Sequence, residues 1–227
     1  MSRLKERYSR NLGALSEEEN QKLQEKSVCI VGCGGLGGYI LEQLLRIGIG
    51  RITVIDGDCF EESNLNRQLL SNEHVIGCSK ANEAYRHAKE VNSEVAVTAV
   101  SEFLTEENAE ALLADHDIVI DAVDNIAARK MMGRVCGELG IPLVYGAIKG
   151  WYAQISLIMP GSEMLNILYQ DYVKLTDKSS LPFTPAVCAS FQTAEAVKYL
   201  CGRECVLADK ILYVDLISME TELISVK

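Results

Sequence analysis

Short apolar runs alternate with helical stripes along the first two thirds of the chain. A short apolar run predicts a buried strand, and a stripe of apolar positions three and four residues apart predicts a helix packed on one face. Strands separated by helices imply right-handed crossovers and a mainly parallel sheet covered on both faces. The pattern therefore predicts an α/β fold with a doubly wound sheet. The predicted strands are 27–31, 52–55, 95–100, 117–121 and 142–145, and the predicted helices are 16–26, 36–47, 80–91, 105–114 and 127–139.

The regular alternation of predicted strands and helices ends after Gly150. Three strands and one helix, at 186–200, are predicted there, which favours a C-terminal antiparallel extension of the same sheet. The stretch 160–185 has a weak hydrophobic pattern and is longer than most structureless connections, so we expect a loop with a functional role. No repeat, low-complexity tract or linker divides the sequence, which predicts a single domain over 1–227. The three strands are 151–159, 210–217 and 221–226.

Composition narrows the class of protein. The 227 residues are 48% apolar and 24% charged, the balance of an ordinary globular chain with a sizeable core. Lys and Arg number 22 against 32 Asp and Glu, and the net charge of −10 opposes binding to nucleic acid or to an anionic membrane surface. No apolar run reaches the length of a membrane span, and the first residues lack the apolar core of a signal peptide, so we expect a cytoplasmic protein. We expect its eight cysteines to be reduced thiols.

A glycine-rich turn stands between the first predicted strand and the helix that follows it. It reads Gly32-Cys-Gly-Gly-Leu-Gly37. Glycines in this context let the backbone turn tightly and approach phosphates, and the start of the helix adds free N–H groups. Asp56 ends the second strand, where a carboxylate accepts both ribose hydroxyls. These features predict a Rossmann-like nucleotide site, without choosing between a dinucleotide and ATP.

The residues after Asp56 favour ATP. A nicotinamide site needs a flat apolar slot and has no evident use for two cations beside a ribose-binding carboxylate. Arg67 and Lys80 can instead neutralise the oxygens of a triphosphate. Asp124, just past the fourth strand, can hold Mg²⁺, which takes one or two carboxylates together with phosphate oxygens. The plain alternatives are a solvated pair of cations and an aspartate that caps the next helix, but the whole set together predicts an ATP site.

In order and spacing, these motifs resemble the ThiF/MoeB/HesA family, the bacterial relatives of ubiquitin-activating enzymes. The likeness covers essentially the whole chain, which makes it far more specific than the glycine turn alone. Besides the glycine turn and Asp56-Gly-Asp58, it is carried by Arg7-Tyr-Ser-Arg10, Ser63-Asn-Leu-Asn-Arg-Gln68, Gly77-Cys-Ser-Lys80, Asp124-Asn-Ile-Ala-Ala-Arg129, Pro142-Leu-Val-Tyr-Gly-Ala147, Gln154-Ile-Ser156 and Ser190-Phe-Gln-Thr-Ala-Glu-Ala196.

The resemblance implies an adenylyltransferase that acts as a homodimer. It would use ATP to adenylate the carboxyl-terminal glycine of a small ubiquitin-like sulfur-carrier protein ending in Gly-Gly and release pyrophosphate, in a molybdopterin, tungstopterin or thiamin type of pathway. Arg10 matches an arginine that reaches into the partner subunit's nucleotide site. The implied catalytic residues are Arg10, Arg67, Lys80 and Asp124, the last of which binds Mg²⁺. The implied nucleotide-binding residues are Gly34, Gly35, Gly37, Asp56, Asp58, Asn64, Arg67, Gln68 and Lys80.

Two departures from the family pattern change the expected chemistry. The paired Cys-x-x-Cys zinc ligands are absent, and residues 159–164 stand where the first pair would lie, so we expect no zinc. The stretch 160–185, expected to cross over the carrier's tail, contains no cysteine for sulfur or thioester transfer. Cys188 lies just beyond it and does not align with that cysteine, which favours a small buried helix residue. We therefore expect adenylation and not covalent thiol transfer.

Two other functions fit the same motifs. A non-catalytic nucleotide-binding scaffold would keep the glycine turn without turnover, and an NAD-dependent oxidoreductase would use it for a dinucleotide. Within the enzyme interpretation, the acyl acceptor is open between a pterin-pathway carrier, a thiamin-pathway carrier and a small carboxylic acid. Binding of NAD against ATP separates the oxidoreductase from the others, and turnover separates enzyme from scaffold.

Overall fold

The computed structural model of the chain describes residues 4–171 and 179–226, and it contains an eight-stranded sheet. The strand order is β3-β2-β1-β4-β5-β6-β7-β8, in which the first five strands are parallel and the last three are antiparallel to their neighbours. The predicted α/β fold with a C-terminal antiparallel extension is confirmed. The strands are β1 Ser27–Val31, β2 Arg51–Ile55, β3 Ala96–Val100, β4 Ile118–Asp121, β5 Leu143–Lys149, β6 Tyr152–Ile158, β7 Lys210–Asp215 and β8 Glu220–Ser225.

Helices cover both faces of the sheet. Alternate residues of β1 belong to different cores, because successive side chains of a strand point to opposite faces. Val28 and Ile30 pack with the helices at 37–47, 80–91 and 183–201. Cys29 and Val31 pack with those at 109–113, 126–139 and 164–168 on the other face. Among the described residues, no helix is both long and apolar enough to cross a membrane. The helices are α1 Glu17–Gln24, α2 Gly37–Ile47, α3 Lys80–Val91, α4 Ala109–Leu113, α5 Ile126–Leu139, α6 Met164–Leu168 and α7 Phe183–Cys201, with short 3-10 helices at Glu6–Asn11 and Glu62–Asn64.

Several element boundaries differ from the predicted ones for local reasons. Helix α4 begins four residues later than the predicted 105–114, since Asn108 folds the preceding residues into a turn by accepting from the Thr105 N–H at 2.8 Å and donating to the Phe103 carbonyl at 3.0 Å. Strand β5 runs on to Lys149, beyond the predicted 142–145, because it pairs with β6 along its whole length.

The predicted loop 160–185 is partly helical. It contains α6, whose Met164 and Leu165 are buried, and the first turn of α7. Helix α7 begins at Phe183, with Pro185 near its start, where the missing N–H of proline costs nothing. Residues 172–178 of the predicted loop lie outside the described residues.

The N-terminal segment packs against its own chain more closely than its charged sequence suggests. Tyr8 is 4% exposed and its hydroxyl accepts from the Asn92 side chain at 2.8 Å. A Cβ atom on Gly48 would lie 2.6 Å from the Tyr8 ring, so this glycine makes room for the aromatic side chain. Tyr8 is therefore part of the packed interior, whereas Arg10 stays exposed.

Candidate active site

The crevice at the carboxyl ends of the parallel strands is the candidate active site. Strand β1 lies between β2 and β4, so the connections that leave these strands diverge to opposite sides and open a crevice there. The glycine turn follows β1, Asp56 follows β2, and Asp124 follows β4 by three residues. The topology therefore brings together three features that are up to 92 residues apart along the chain.

The glycine turn is too tight for side chains at two positions. Gly32 has a φ of +101° and donates its N–H to the Ile55 carbonyl at 2.8 Å. A Cβ atom on Gly37 would lie 1.8 Å from the Gly32 carbonyl oxygen, so glycine alone lets α2 start so close to β1. At Gly35, by contrast, a Cβ atom would meet its nearest neighbour, Pro185, at 3.5 Å. The glycines of the turn thus present backbone next to the N-terminus of α2 without side chains of their own, which suits an anion.

Asp56 is fixed beside this turn. One carboxylate oxygen accepts from the Cys33 N–H at 2.6 Å, and the other accepts from the Asp58 N–H at 2.8 Å. Burial raises the pKa of Asp56, and the two N–H donors and Lys80 partly oppose that rise. The carboxylate thus connects the glycine turn to the loop after β2, the place expected for a ribose.

Lys80 brings a nearly buried cation into the same crevice. The residue is only 7% exposed, and its Nζ lies 3.2 Å from Asp58 Oδ2. Its backbone N–H donates to the Asp58 carbonyl at 2.9 Å, and Ser79 caps α3 directly before it. The alternative of a solvated surface cation is wrong for Lys80, because the fold holds its ammonium group in place.

The loop that follows Asp58 contains three of the predicted site residues, two of which lie next to the glycines. Asn64 is buried, and its Oδ1 accepts from the Glu61 N–H at 3.0 Å, which shapes the 3-10 turn. The Arg67 Cγ would lie 3.9 Å from a Cβ atom on Gly35, and the Gln68 Nε2 would lie 3.5 Å from one on Gly34. Gln68 is 7% exposed, and its buried Oε1 has no hydrogen-bond partner among the described residues.

Asp124 faces outward at the end of β4. Its side chain is exposed, and the cap of α5 comes from Asn125, whose Oδ1 accepts from the Ala127 N–H at 2.8 Å. The alternative role of Asp124 as a helix cap is therefore wrong. No group of three or more His, Cys, Asp or Glu side chains that could hold a metal occurs among the described residues. A lone carboxylate fits Mg²⁺ only where phosphate oxygens supply the remaining ligands.

A buried ion pair lies close to Asp124 in the structure. The sequence analysis assigned neither of its residues, Asp121 and Arg129, to the site. Asp121 is fully buried, and its Oδ2 accepts from Arg129 Nε at 2.5 Å. Arg129 also donates to the Val123 carbonyl at 2.7 Å and to the Gly146 carbonyl at 3.0 Å. In the sequence, this ion pair is indicated by an aspartate that ends an apolar strand and by an arginine eight residues later on the following helix.

Gln192 is a second buried polar residue without an assigned role in the sequence analysis. Its Nε2 donates to the Asp121 carbonyl at 2.8 Å and to the Val144 carbonyl at 3.2 Å. A Cβ atom on Gly146 would lie 2.3 Å from the Gln192 side chain, so the glycine admits the amide between the strand ends. Gln192 therefore satisfies carbonyls of β4 and β5 where these strands separate below the crevice.

Arg10 lies far from the crevice of its own chain. Its neighbour Asn11 donates to the Ile47 carbonyl at 3.2 Å, and Tyr8 packs against Gly48, both at the C-terminal end of α2. The glycine turn precedes the other end of this 11-residue helix, and a helix of that length spans about 16 Å. The structure thus brings together the other predicted site residues but not Arg10.

The chain is similar in sequence to a known family and to individual known proteins over most of its length. The family model described as "ThiF family" matches residues 8–227. The SAMP-activating enzyme E1 of Haloferax volcanii is 30% identical, over 96% of this chain and 83% of that protein. The sulfur carrier protein adenylyltransferase of Thermus thermophilus is 34% identical, over 92% of this chain and 83% of that protein. The chain spans only about half, 49%, of some longer relatives that it also matches.

Solved structures support the fold. A crystal structure of E. coli MccB with succinimide superposes with a TM-score of 0.85 over 99% of this chain and 72% of that chain, at 22% identity. At that level of identity the similarity concerns the architecture alone. The Rossmann-like arrangement of the sheet and its helices is therefore shared with a known protein.

Proposed function

The chain belongs to the ThiF family, whose compared members are adenylyltransferases and E1-type activating enzymes, and we propose that it uses ATP to adenylate the carboxyl-terminal glycine of a small ubiquitin-like sulfur carrier. It is an enzyme of the adenylyltransferase class. Pyrophosphate is the other product, and the carrier ends in Gly-Gly. The enzyme works as a homodimer in the cytoplasm, in a pathway of the molybdopterin, tungstopterin or thiamin type.

One observation carries this proposal. A nearly buried ammonium lies beside Asp58, and an arginine stem and a buried amide lie against the glycines of a turn at the switch point of a parallel sheet. The side chains are those of Lys80, Arg67 and Gln68. Lys80 beside the Asp56 carboxylate and Arg67 beside Gly35 suit a ribose that carries three phosphates, and a nicotinamide has no use for two cations.

The residues of the site suit attack by a carboxylate on the α-phosphorus of ATP. A bond forms between the carrier's carboxylate oxygen and the α-phosphorus. The bond from the α-phosphorus to the oxygen that joins it to the β-phosphorus breaks, and that oxygen leaves with pyrophosphate. The attacking group is already ionised, so no side chain needs to abstract a proton. Lys80, which the fold holds beside Asp58, and Arg67 offset the negative charge that gathers on the phosphate oxygens. Asp124 would hold Mg²⁺, which supplies Lewis-acid stabilisation of phosphate oxygens when bound.

The decisive experiment is isotope exchange of labelled pyrophosphate into ATP. We expect exchange only when the protein, ATP, Mg²⁺ and a Gly-Gly-ended carrier encoded beside its gene are all present. The same carrier without its last glycine is the matched control and should give none, because the reacting carboxylate is then displaced by one residue. ATP with Mg²⁺ should also raise the melting temperature, and NAD should not. Binding of ATP without exchange would favour the scaffold, and protection by NAD would favour the oxidoreductase.

Cys188 is expected to be dispensable for adenylation. The residue is fully buried, its Sγ lies 3.8 Å from the Gln154 carbonyl oxygen, and burial raises the pKa of the thiol well above its ordinary value. A protonated, enclosed thiol is a poor nucleophile. We expect Cys188→Ala to keep the exchange rate of the wild type, measured in the same assay, and a dead variant with an unchanged melting temperature would contradict this.

Zinc is expected to be absent from the purified protein. The cysteines and histidines of the sequence offer no pair of Cys-x-x-Cys ligands, and a structural zinc site needs four protein ligands. Elemental analysis by mass spectrometry should find far less than one zinc per chain after dialysis without chelator. One zinc per chain would overturn this prediction.

A further inference from the structure

The peptide that precedes Asp124 is clamped from both sides. The Val123 N–H donates to Asp121 Oδ1 at 3.0 Å, and the Val123 carbonyl accepts from Arg129 Nη2 at 2.7 Å. Asp121 and Arg129 are themselves joined by their ion pair. Both polar groups of one peptide are thus fixed by a single buried pair, and the next residue along the chain is Asp124.

Arg129 is in turn held by groups on two other parts of the fold. Its Nη1 donates to the Tyr169 hydroxyl at 2.9 Å, just after α6, and its guanidinium carbon lies 5.0 Å from the centre of the Tyr145 ring on β5. Burial alone would lower the pKa of Arg129, but Asp121 and the two tyrosines raise it above its usual value. The guanidinium therefore stays charged, and its planar fork has one fixed orientation.

The two tyrosines differ in what their hydroxyls do. The Tyr169 hydroxyl accepts directly from Arg129, and it also lies 2.8 Å from the Tyr145 hydroxyl. The Tyr145 hydroxyl donates to Gln154 Oε1 at 3.0 Å, and Tyr145 contacts Arg129 through its ring. Tyr169→Phe therefore removes a hydroxyl that contacts the guanidinium directly, whereas Tyr145→Phe removes one that is linked to it only through Tyr169.

We infer that Arg129 is a positioning residue that fixes the Asp124 carboxylate for Mg²⁺·ATP, and that the Tyr169 hydroxyl holds Arg129 in that position. The Asp124 side chain is exposed and makes no hydrogen bond to another described residue, so its position depends on its backbone. Groups behind a metal ligand commonly set metal affinity by a factor of about 10 to 100, because they keep the ligand oriented before the metal arrives. The inference rests on the proposed function, since it takes Asp124 as the carboxylate toward the metal.

The test is the Mg²⁺ dependence of nucleotide binding. Fluorescently labelled α,β-methylene-ATP is bound at equilibrium to the full chain while Mg²⁺ is titrated, without any carrier. We expect Tyr169→Phe to raise the half-saturating Mg²⁺ concentration about 10-fold and Arg129→Lys to raise it about 10- to 100-fold. Binding of the analogue without Mg²⁺ should be unchanged in both variants, whereas a general loss of structure would weaken it too. Tyr145→Phe is the matched control and should keep the midpoint of the wild type.

The outcomes separate this inference from the proposed function. Tyr169→Phe keeps its ring and its melting temperature, so it stays informative even if Arg129→Lys does not fold. If the wild type shows Mg²⁺-dependent binding and Tyr169→Phe has the same midpoint as Tyr145→Phe, the positioning role is wrong and the proposed function stands. If the wild type does not bind the analogue at any Mg²⁺ concentration, the proposed function fails, and the positioning role fails with it.

Discussion

Replacing Asp124 with alanine is expected to lower carrier-dependent pyrophosphate exchange by about 10²- to 10³-fold, the usual cost of losing one fixed electrostatic contact to a transition state. The side chain is exposed beyond the end of β4 and takes no part in the cap of α5, which Asn125 provides. Its removal leaves no cavity and breaks no cap, so the melting temperature should stay near that of the wild type. The exchange rate at saturating ATP and Mg²⁺ measures the effect.

Lys80→Ala is expected to lose most of the exchange as well. Removing this cation leaves the phosphate charge uncompensated, whereas its partner Asp58 is 55% exposed in the side chain and stays solvated. Glu110→Ala is a suitable control for both variants, because it removes an exposed carboxylate from α4 and should leave the rate unchanged. Full exchange by either Asp124→Ala or Lys80→Ala would contradict the assignment of the site.

The sheet and the glycine turn could be predicted because their signals are local. A buried strand such as 27–31 is a continuous apolar run, and a turn that lacks room for Cβ atoms requires glycine wherever it is built. The fold places the turn, Asp56 and Asp124 in one crevice because parallel strands have their carboxyl ends at the same edge. The convergence of most of the candidate site thus follows from topology, which the alternation of strands and helices already indicates.

The parts that sequence did not predict depend on single side chains. Tyr8 and Leu165 are buried residues in short segments, so neither forms a stripe that a periodicity can reveal. The roles of Arg129 and Gln192 depend on which carbonyl groups lie in front of them, and those carbonyls are 6 to 71 residues away in sequence. Asp121 likewise appears as an ordinary strand end until the fold places Arg129 against it.

A mixture of two inactive variants is expected to regain activity if Arg10 acts across a dimer. Tyr8 and Asn11 hold the Arg10 segment at the C-terminal end of α2, about 16 Å along the helix from the glycine turn. Arg10 is exposed there, so a second copy of the chain can approach it. Under this hypothesis each site takes its arginine from the other subunit, so Arg10→Ala should lose exchange in spite of an unchanged fold.

Subunit exchange makes the trans arrangement measurable. In a mixed dimer of Arg10→Ala and Asp124→Ala, one site lacks both groups and the other site has both, since the arginine of each chain serves its partner. Random pairing at equal concentrations makes half of the dimers mixed, so about one quarter of the wild-type exchange rate should return. A mixture of Asp124→Ala with Lys80→Ala is the negative control for this experiment. Asp124 and Lys80 both serve the crevice of their own chain, so each mixed dimer of these two variants holds two defective sites and no activity should return. If Arg10→Ala with Asp124→Ala restores nothing although subunit exchange is verified by mass spectrometry, Arg10 does not serve the partner's site.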